Sequence, residues 1–145
     1  MLPLVAYADA LWGEIIKKRD PICRICGMEP TTEAHHIAHR GNFATRYLLK
    51  NGLGLGPICH HQNGHDRPEY FESEIRRVIG DELYNSLMEM SRRIVKRNRL
   101  FILDQIENMK RDFALLEIEI PLREGREEGW DSCRDLYQNP PRIYV

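Results

Sequence analysis

The sequence lacks any apolar run that approaches the roughly 20 residues a helix needs to cross a bilayer. Its first residues, Met1 to Leu4, also lack the positively charged region that opens a secretory signal. These absences predict an intracellular protein without a membrane span. The length of 145 residues, with 42% hydrophobic and 30% charged content, is typical of one ordinary globular domain.

Cysteine is scarce, and only four are present. Two of them, Cys23 and Cys26, form a CxxC pair, which in an intracellular chain is more typical of metal or redox chemistry than of disulfides. A redox pair would normally come with a thioredoxin-like βαβ pattern, which the sequence does not have. Metal binding is therefore the favoured interpretation.

The chain also has little net charge, −1 at pH 7. Taken alone this disfavours nucleic-acid binding, because phosphate neutralisation dominates affinity for a duplex. The charges are unevenly distributed, however. Residues 34–65 contain all six histidines and no Asp or Glu, whereas the residues after Leu116 contain seven acidic and four basic side chains. The whole-chain sum thus hides a basic middle segment.

Apolar periodicity predicts helices on both sides of this middle segment. Helical spacing over residues 4–19 predicts a first helix that ends before Asp20-Pro21. Residues 22–65 are rich in Gly, His and Cys and predict a β-hairpin-like unit. A second helix should begin near Asp66, which can act as its cap, with Pro68 in the first turn and Gly80 at the end.

A long helical pattern then runs from Asp81 to about Leu116. Val95, Ile102, Met109 and Leu116 recur in it every seven residues, a spacing typical of coiled coils. Two interpretations stay open: packing on the first helix, or the seam of a homodimer. The basic residues of this pattern form either a solvated face or a surface that follows phosphates; they are Arg92, Arg93, Lys96, Arg97 and Arg99.

The basic middle segment contains an ordered series of potential metal ligands and catalytic side chains. In chain order these are Cys23-x-x-Cys26, His35-His36, Asn51 and Cys59-His60. Each group alone is weak evidence. The order is hard to obtain by chance when fifteen residues separate His36 from Asn51 and nine separate Asn51 from His60.

In this order and spacing the sequence resembles the HNH nuclease superfamily, also called ββα-metal or His-Me finger nucleases. The resemblance covers about residues 22–75, and the run AHHIAHRGNFATRYLLKNGLGL is similar to the phage recombination nucleases of the NinG/Rap type. It implies a metal-dependent endonuclease that hydrolyses DNA phosphodiester bonds in the cytoplasm of a bacterium or a phage-infected host. Branched recombination DNA and linear duplex are both open as substrates.

The resemblance implies a catalytic role for several residues. His36 corresponds to the general base that takes a proton from the attacking water, a task for which a neutral imidazole is suited. His35 corresponds to a ligand of the catalytic metal and should lie on the opposite face of a strand from His36. Asn51 corresponds to the residue whose amide pins the loop carrying the base, and His60 to a further metal ligand.

One divalent ion between His35 and His60 would neutralise the charge that develops on the scissile phosphate. Imidazole and oxygen ligands do not choose among Mg, Mn, Ni and Zn. His65 is a third candidate ligand, and His61 with His65 is the alternative to His60. Two side chains are candidates for binding phosphate and DNA: Arg40 and Arg46.

The sequence departs from the family pattern in its second cysteine pair. Many HNH proteins hold a structural zinc between two CxxC pairs, whereas here the second pair reads Gly56-Pro57-Ile58-Cys59. Cys23, Cys26 and Cys59 would supply three thiolates, and a tetrahedral zinc site needs a fourth ligand. The candidates for it are His39, His61 and the distant Cys133. Free, buried cysteines without zinc are the alternative.

These observations predict an α+β fold in which a small ββα-metal unit is embedded among helices. We expect an N-terminal helix over 1–20, the nuclease core over 21–80, a long helix for packing or dimerisation over 81–118, and a charged tail over 119–145. DNA is the expected partner, with a homodimer through the long helix as a further option. The alternative function is a non-catalytic zinc-binding module for nucleic acid or protein, in which the histidines close the metal site.

Overall fold

The chain folds into an α+β structure that is mostly helical, with one two-stranded sheet. The computed structural model describes residues 2–119, except for the side chains of residues 62, 63, 65 and 117–119. The predicted charged tail, including Cys133, therefore lies outside the described residues. The elements are α1 (Leu2–Arg19), β1 (Glu33–His36), a 3₁₀ turn (Leu49–Asn51), β2 (Gly52–Leu55), a π-helix (Ile58–Asp66), α2 (Pro68–Ile79), α3 (Asp81–Ser91) and α4 (Arg99–Glu119).

Helix α1 forms where the apolar periodicity predicts it. It ends at Arg19, because Pro21 disfavours helical backbone at Asp20. The buried face of α1 consists of Ala8, Leu11, Trp12, Ile15 and Ile16. Among the helices in the described part of the chain, none has the combination of length and apolar content that a bilayer span requires.

The two strands pair antiparallel, with His36 opposite Gly52 and His35 opposite Leu53. Successive side chains of a strand point to opposite faces, so the glycines of β2 lie on one face and its leucines on the other. The glycine face lets α1 approach closely, because a Cβ added at Gly52 would lie 2.6 Å from side-chain atoms of both Trp12 and Ile16. This close approach positions α1 beside His36.

The sheet separates two apolar cores. The first lies between α1, α4 and the loop before β2, and its buried residues include Leu11, Trp12, Ile15, Tyr47, Ile102, Met109 and Phe113. The second lies on the leucine face of β2, against α2 and α3, and consists of Cys23, Ile37, Leu53, Leu55, Cys59, Phe71, Ile75 and Leu87. The strand carrying the two adjacent histidines therefore contributes to both sides of the molecule.

Helix α2 has the predicted boundaries but not the predicted cap. It begins with Pro68 in its first turn and ends before Gly80, whose φ of 88° is a conformation that glycine adopts without strain. Asp66 was expected to cap this helix. The N-cap position is instead occupied by Arg67, which makes no side-chain capping bond.

The prediction of one continuous helix over 81–118 is wrong, because the chain breaks between Ser91 and Arg99. Like charges at a spacing of four, such as Arg92 with Lys96 and Arg93 with Arg97, oppose a helix here. The new helix starts at a cap: the Phe101 N–H donates to the Asn98 side-chain oxygen over 2.9 Å.

The structure shows how the residues of the seven-residue spacing pack within the chain. Ile102 and Met109 are buried against α1, and Leu116 packs on the same core. Val95 lies in the connection between α3 and α4, outside any helix. The spacing of seven therefore reflects packing of α4 on α1 within one chain, which was the first of the two interpretations of that pattern.

Candidate active site and metal centre

An open cleft of about 700 Å³ brings four of the predicted site residues together: His35, His36, Arg40 and His60. It is bordered by α1, β1, the loop that follows β1 and the start of the π-helix. Three residues that the sequence analysis did not single out, Asp9, Trp12 and Glu33, contribute to its wall. The remaining lining residues are Gly13, Lys17, Thr32, Ala34 and His39.

The ring of His36 is held at two points. Its imidazole stacks on Trp12, with ring centroids 3.7 Å apart and planes 9° from parallel. Its Nε2 lies 3.1 Å from the backbone oxygen of Arg46. A carbonyl oxygen can only accept a hydrogen bond, so this contact assigns the proton to Nε2 and leaves the lone pair on Nδ1. That tautomer is the one a general base acting through Nδ1 requires.

His36 is also kept neutral. Its burial, reinforced by the nearby charges of Arg40 and Arg46, lowers its pKa to about 4, although the hydrogen bond to the Arg46 carbonyl acts in the opposite direction. At neutral pH the imidazole is therefore uncharged and able to accept a proton.

The guanidinium of Arg46 binds groups of the protein itself, whereas we expected it to bind a phosphate. Its guanidinium forms a two-pronged ion pair with Asp9, with Nε 2.8 Å from Oδ1 and Nη2 2.7 Å from Oδ2. Its Nη1 donates to the backbone oxygen of Arg40. The residue is only 8% exposed and is not part of the cleft wall. Arg46 thus supports the loop and the ring of His36, and the phosphate-binding assignment is corrected to exclude it.

Asn51 is fully buried, and its amide ties the loop after β1 to the start of β2. Its Oδ1 accepts from the Ala38 N–H over 2.7 Å, and its Nδ2 donates to the oxygens of Ala38 and Thr45. The backbone oxygen of Asn51 also accepts from the Ile37 N–H. Asn51 therefore holds the segment next to His36 in place, while a part in catalysis stays a prediction.

His35 lies on the other side of the strand, as its position next to His36 predicts. Its ring is edge-on to Phe71, with centroids 5.0 Å apart, and to His60, with centroids 5.5 Å apart. Burial, together with the neighbouring imidazoles of His60 and His36, lowers the pKa of His35 to about 4. A neutral imidazole is the form that a metal ligand needs.

A carboxylate that the sequence analysis missed joins this histidine group. The potential ligand atoms of Glu33, His60 and His61 all lie within 4.8 Å of one another and could hold a metal ion. His35 is close by but outside that set, and the side chain of His65 lies outside the described residues. The sequence contained a signal for this carboxylate, because Glu33 is two residues before His35 and both therefore lie on one face of the strand.

A second group of ligands lies on the leucine face of β2, where Cys23, Cys26, Cys59 and Glu29 meet. Their ligand atoms are also within 4.8 Å of one another, so this buried and half-buried group could hold a metal ion. Three thiolates and a carboxylate are compatible with a structural zinc. Glu29 is thus the fourth potential ligand in this group, a position for which the sequence suggested His39, His61 and Cys133.

The turn after Cys26 resembles a thiolate knuckle. The backbone N–H groups of Met28 and Glu29 both donate to the Cys26 sulfur over 3.4 Å, and these hydrogen bonds lower its pKa. Gly27, with a φ of 69°, allows the turn. The same turn brings Glu29 back beside Cys26, so a Glu three residues after a CxxC pair was the signal in the sequence.

Two of the candidates for the fourth ligand, His39 and His61, lie elsewhere. His39 lines the cleft, and its Nδ1 accepts from the Gly41 N–H over 3.0 Å. His61 belongs to the group with Glu33 and His60.

Arg40, the second phosphate candidate, lines the cleft with an exposed side chain and a contact of 3.4 Å to Asp9.

Comparison with known proteins identifies no relative of this chain. No model of a known protein family matches it, and neither does any curated protein or solved structure. Its function therefore has to be argued from the geometry of the site.

Proposed function

We propose that this protein is a metal-dependent endonuclease that hydrolyses DNA phosphodiester bonds in the cleft beside α1. One observation carries the proposal. His36, in the tautomer that leaves Nδ1 able to accept a proton, lines the same cleft as Glu33 and His60, which belong to a group able to hold a metal ion. A base next to a metal site is the pairing that hydrolysis of a phosphodiester requires.

The chain's own residues supply the positioning. Nδ1 of His36 takes the proton from the attacking water, while Trp12 and the Arg46 carbonyl keep the ring from turning. Glu33, His60 and His61 would hold the divalent ion, with His35 packed beside them. When bound, that ion supplies positive charge for the oxyanion that develops on the phosphate.

Two cations of the cleft suit a phosphate. Arg40 projects an exposed guanidinium, and Lys17 presents its ammonium group from α1. Each forms an ion pair with an acidic neighbour, Arg40 with Asp9 and Lys17 with Glu14. Both basic side chains stay exposed to solvent in these pairs. Exposed ion pairs of this kind contribute little stability and can exchange partners with a phosphate.

We propose the substrate class from the resemblance of one segment to the phage recombination nucleases. The run from Ala34 to Leu55 is similar to phage recombination nucleases. Branched DNA is therefore the first substrate to test, beside linear and supercoiled duplex.

The test is cleavage of plasmid and four-way junction DNA by the full chain with Mg, Mn, Ni and Zn in turn. His36→Ala should abolish cutting while fold and metal content stay unchanged. His39→Ala is the matched control, because His39 lines the same cleft but uses its Nδ1 for the Gly41 amide. Equal loss in both variants, or full activity in His36→Ala, would refute the assignment of the base.

A non-catalytic zinc-binding module is the second candidate, favoured by the Cys23, Cys26, Glu29 and Cys59 group. It predicts one zinc per chain and no cleavage of any of these substrates with any ion. Stoichiometric zinc with robust cutting would reject it as the whole function.

A further inference from the structure

The connection between α3 and α4 carries an unbalanced positive charge. From Met90 to Leu103 the chain has five basic residues and no acidic one. All five are exposed, and among the ion pairs of the described residues none involves them. We call this group the basic connection; it consists of Arg92, Arg93, Lys96, Arg97 and Arg99.

Packing does not account for this composition. Ile94, in the middle of the connection, is 100% exposed. Like charges crowded into a short segment repel one another and oppose the helix that the flanking sequence would otherwise continue. An anionic partner outside the described chain would relieve this repulsion.

The basic connection is attached to the loop that borders the cleft. The guanidinium carbon of Arg97 lies 4.8 Å from the ring centroid of Phe43, and that of Arg46 lies 4.6 Å from the same centroid. Phe43 belongs to the loop that presents His39 and Arg40 to the cleft. A phosphate backbone leaving the cleft along this loop would therefore meet a second group of cations.

We propose that the basic connection binds the phosphate backbone of the DNA substrate outside the cleft, without reading its sequence. This inference rests on the proposed function for the identity of the partner. Four of the five side chains are arginines, whose planar guanidinium matches phosphate oxygens in a two-pronged geometry. A membrane surface fits less well, because such segments present a broad apolar helix face, whereas residues 92–98 are irregular and Ile94 is the only exposed large apolar side chain among them.

The experiment measures affinity of the full chain for a short fluorescent duplex and a four-way junction over a series of salt concentrations. All proteins carry His36→Ala so that the DNA stays intact. The variant is Arg93→Gln with Lys96→Gln, which leaves the Arg97 contact with Phe43 untouched. The matched control is Lys110→Gln with Arg111→Gln, an equal change of charge on α4, where both side chains face acidic neighbours.

Each lost phosphate contact should lower the slope of log affinity against log salt by about 1. We therefore expect the Arg93/Lys96 variant to bind more weakly with a slope smaller by roughly 2, while the control keeps the slope of the parent. Equal slopes in the two variants, or no binding of either DNA by the parent, would overturn the inference. The inference would also be overturned if the Arg93/Lys96 variant lost binding to vesicles of phosphatidylcholine and phosphatidylserine while its binding to the duplex stayed unchanged.

Cleavage by the chain with His36 restored separates this inference from the proposed function. If the protein cuts DNA and the slopes are equal, the nuclease stands and the basic connection is not its binding surface. If no ion supports cutting but the Arg93/Lys96 variant loses salt-dependent binding, the surface stands and the nuclease proposal fails.

Discussion

The indole of Trp12 lies flat against the imidazole of His36, with centroids 3.7 Å apart. Trp12 is itself fixed, because its Nε1 donates to the backbone oxygen of Leu48 over 3.0 Å. Helix α1, which precedes the histidine-rich segment in the chain, thus supplies one wall of the site. The glycine face of β2 makes this possible by letting the helix lie directly on the sheet.

Replacing Trp12 by Leu should slow cleavage by up to about 10-fold, because a stacked pair contributes roughly 0.5–1.5 kcal/mol beyond its buried area. The effect should fall on kcat rather than KM, since Trp12 orients the base. Single-turnover cleavage of folded protein measures it. A KM change alone would show that Trp12 acts on DNA binding instead.

Asn51→Ala should destabilise the fold by about 2–4 kcal/mol, because the buried N–H of Ala38 loses its acceptor and the backbone oxygens of Ala38 and Thr45 each lose a donor. Urea denaturation measures the change. Asn108→Ala is the control, since Asn108 accepts only an exposed bond from Arg111 and its loss should matter by less than about 0.5 kcal/mol. Similar destabilisation in both would contradict the pinning role of Asn51.

Glu29→Ala should weaken zinc binding by at least about 10-fold, because it removes one of the four potential ligands of the cysteine group. Zinc transfer to a colorimetric chelator measures it, with Cys26→Ser as the stronger variant and Glu107→Ala as a surface control. If Glu29→Ala keeps its zinc while His39→Ala loses it, the fourth ligand is His39 and not Glu29.

Asp20 should make the protein sensitive to acid. Burial alone would raise its pKa, but the hydrogen bonds and charge of Arg19, with the Gly54 N–H and Arg24, outweigh burial and lower the pKa below 3.8. A carboxyl whose pKa is lower in the folded than in the unfolded state stabilises the fold above the unfolded value. That contribution is lost as the pH falls through the folded value.

Asp20→Asn should therefore cost about 3 kcal/mol at pH 7 and progressively less below about pH 4, as Asp20 of the wild type is protonated first in the unfolded and then in the folded state. Urea unfolding across this range measures the difference. Asp104→Asn, an exposed change on α4, is the control. A difference that does not vary with pH would show that Asp20 acts through its shape and not its charge.

Local patterns determined much of the fold. The first helix, the proline start and glycine end of α2, and the opposite orientation of His35 and His36 all follow from backbone sterics and from the repeats of helix and strand. The break of the predicted long helix had a local cause as well. Like charges between Ser91 and Arg99 outweighed an apolar spacing that continued through them.

The sequence by itself thus determined the elements and the order of the potential ligands, since these depend on neighbours within a few residues. Only the tertiary structure decided the partners: Asp9 pairs with Arg46, 37 residues away, and Glu29 meets Cys59. From the sequence alone, any of several carboxylates could have paired with Arg46 or joined the cysteine group. Which one does depends on the path of the chain between α1, the knuckle and the π-helix, and that path is set by how the two cores pack on opposite faces of the sheet.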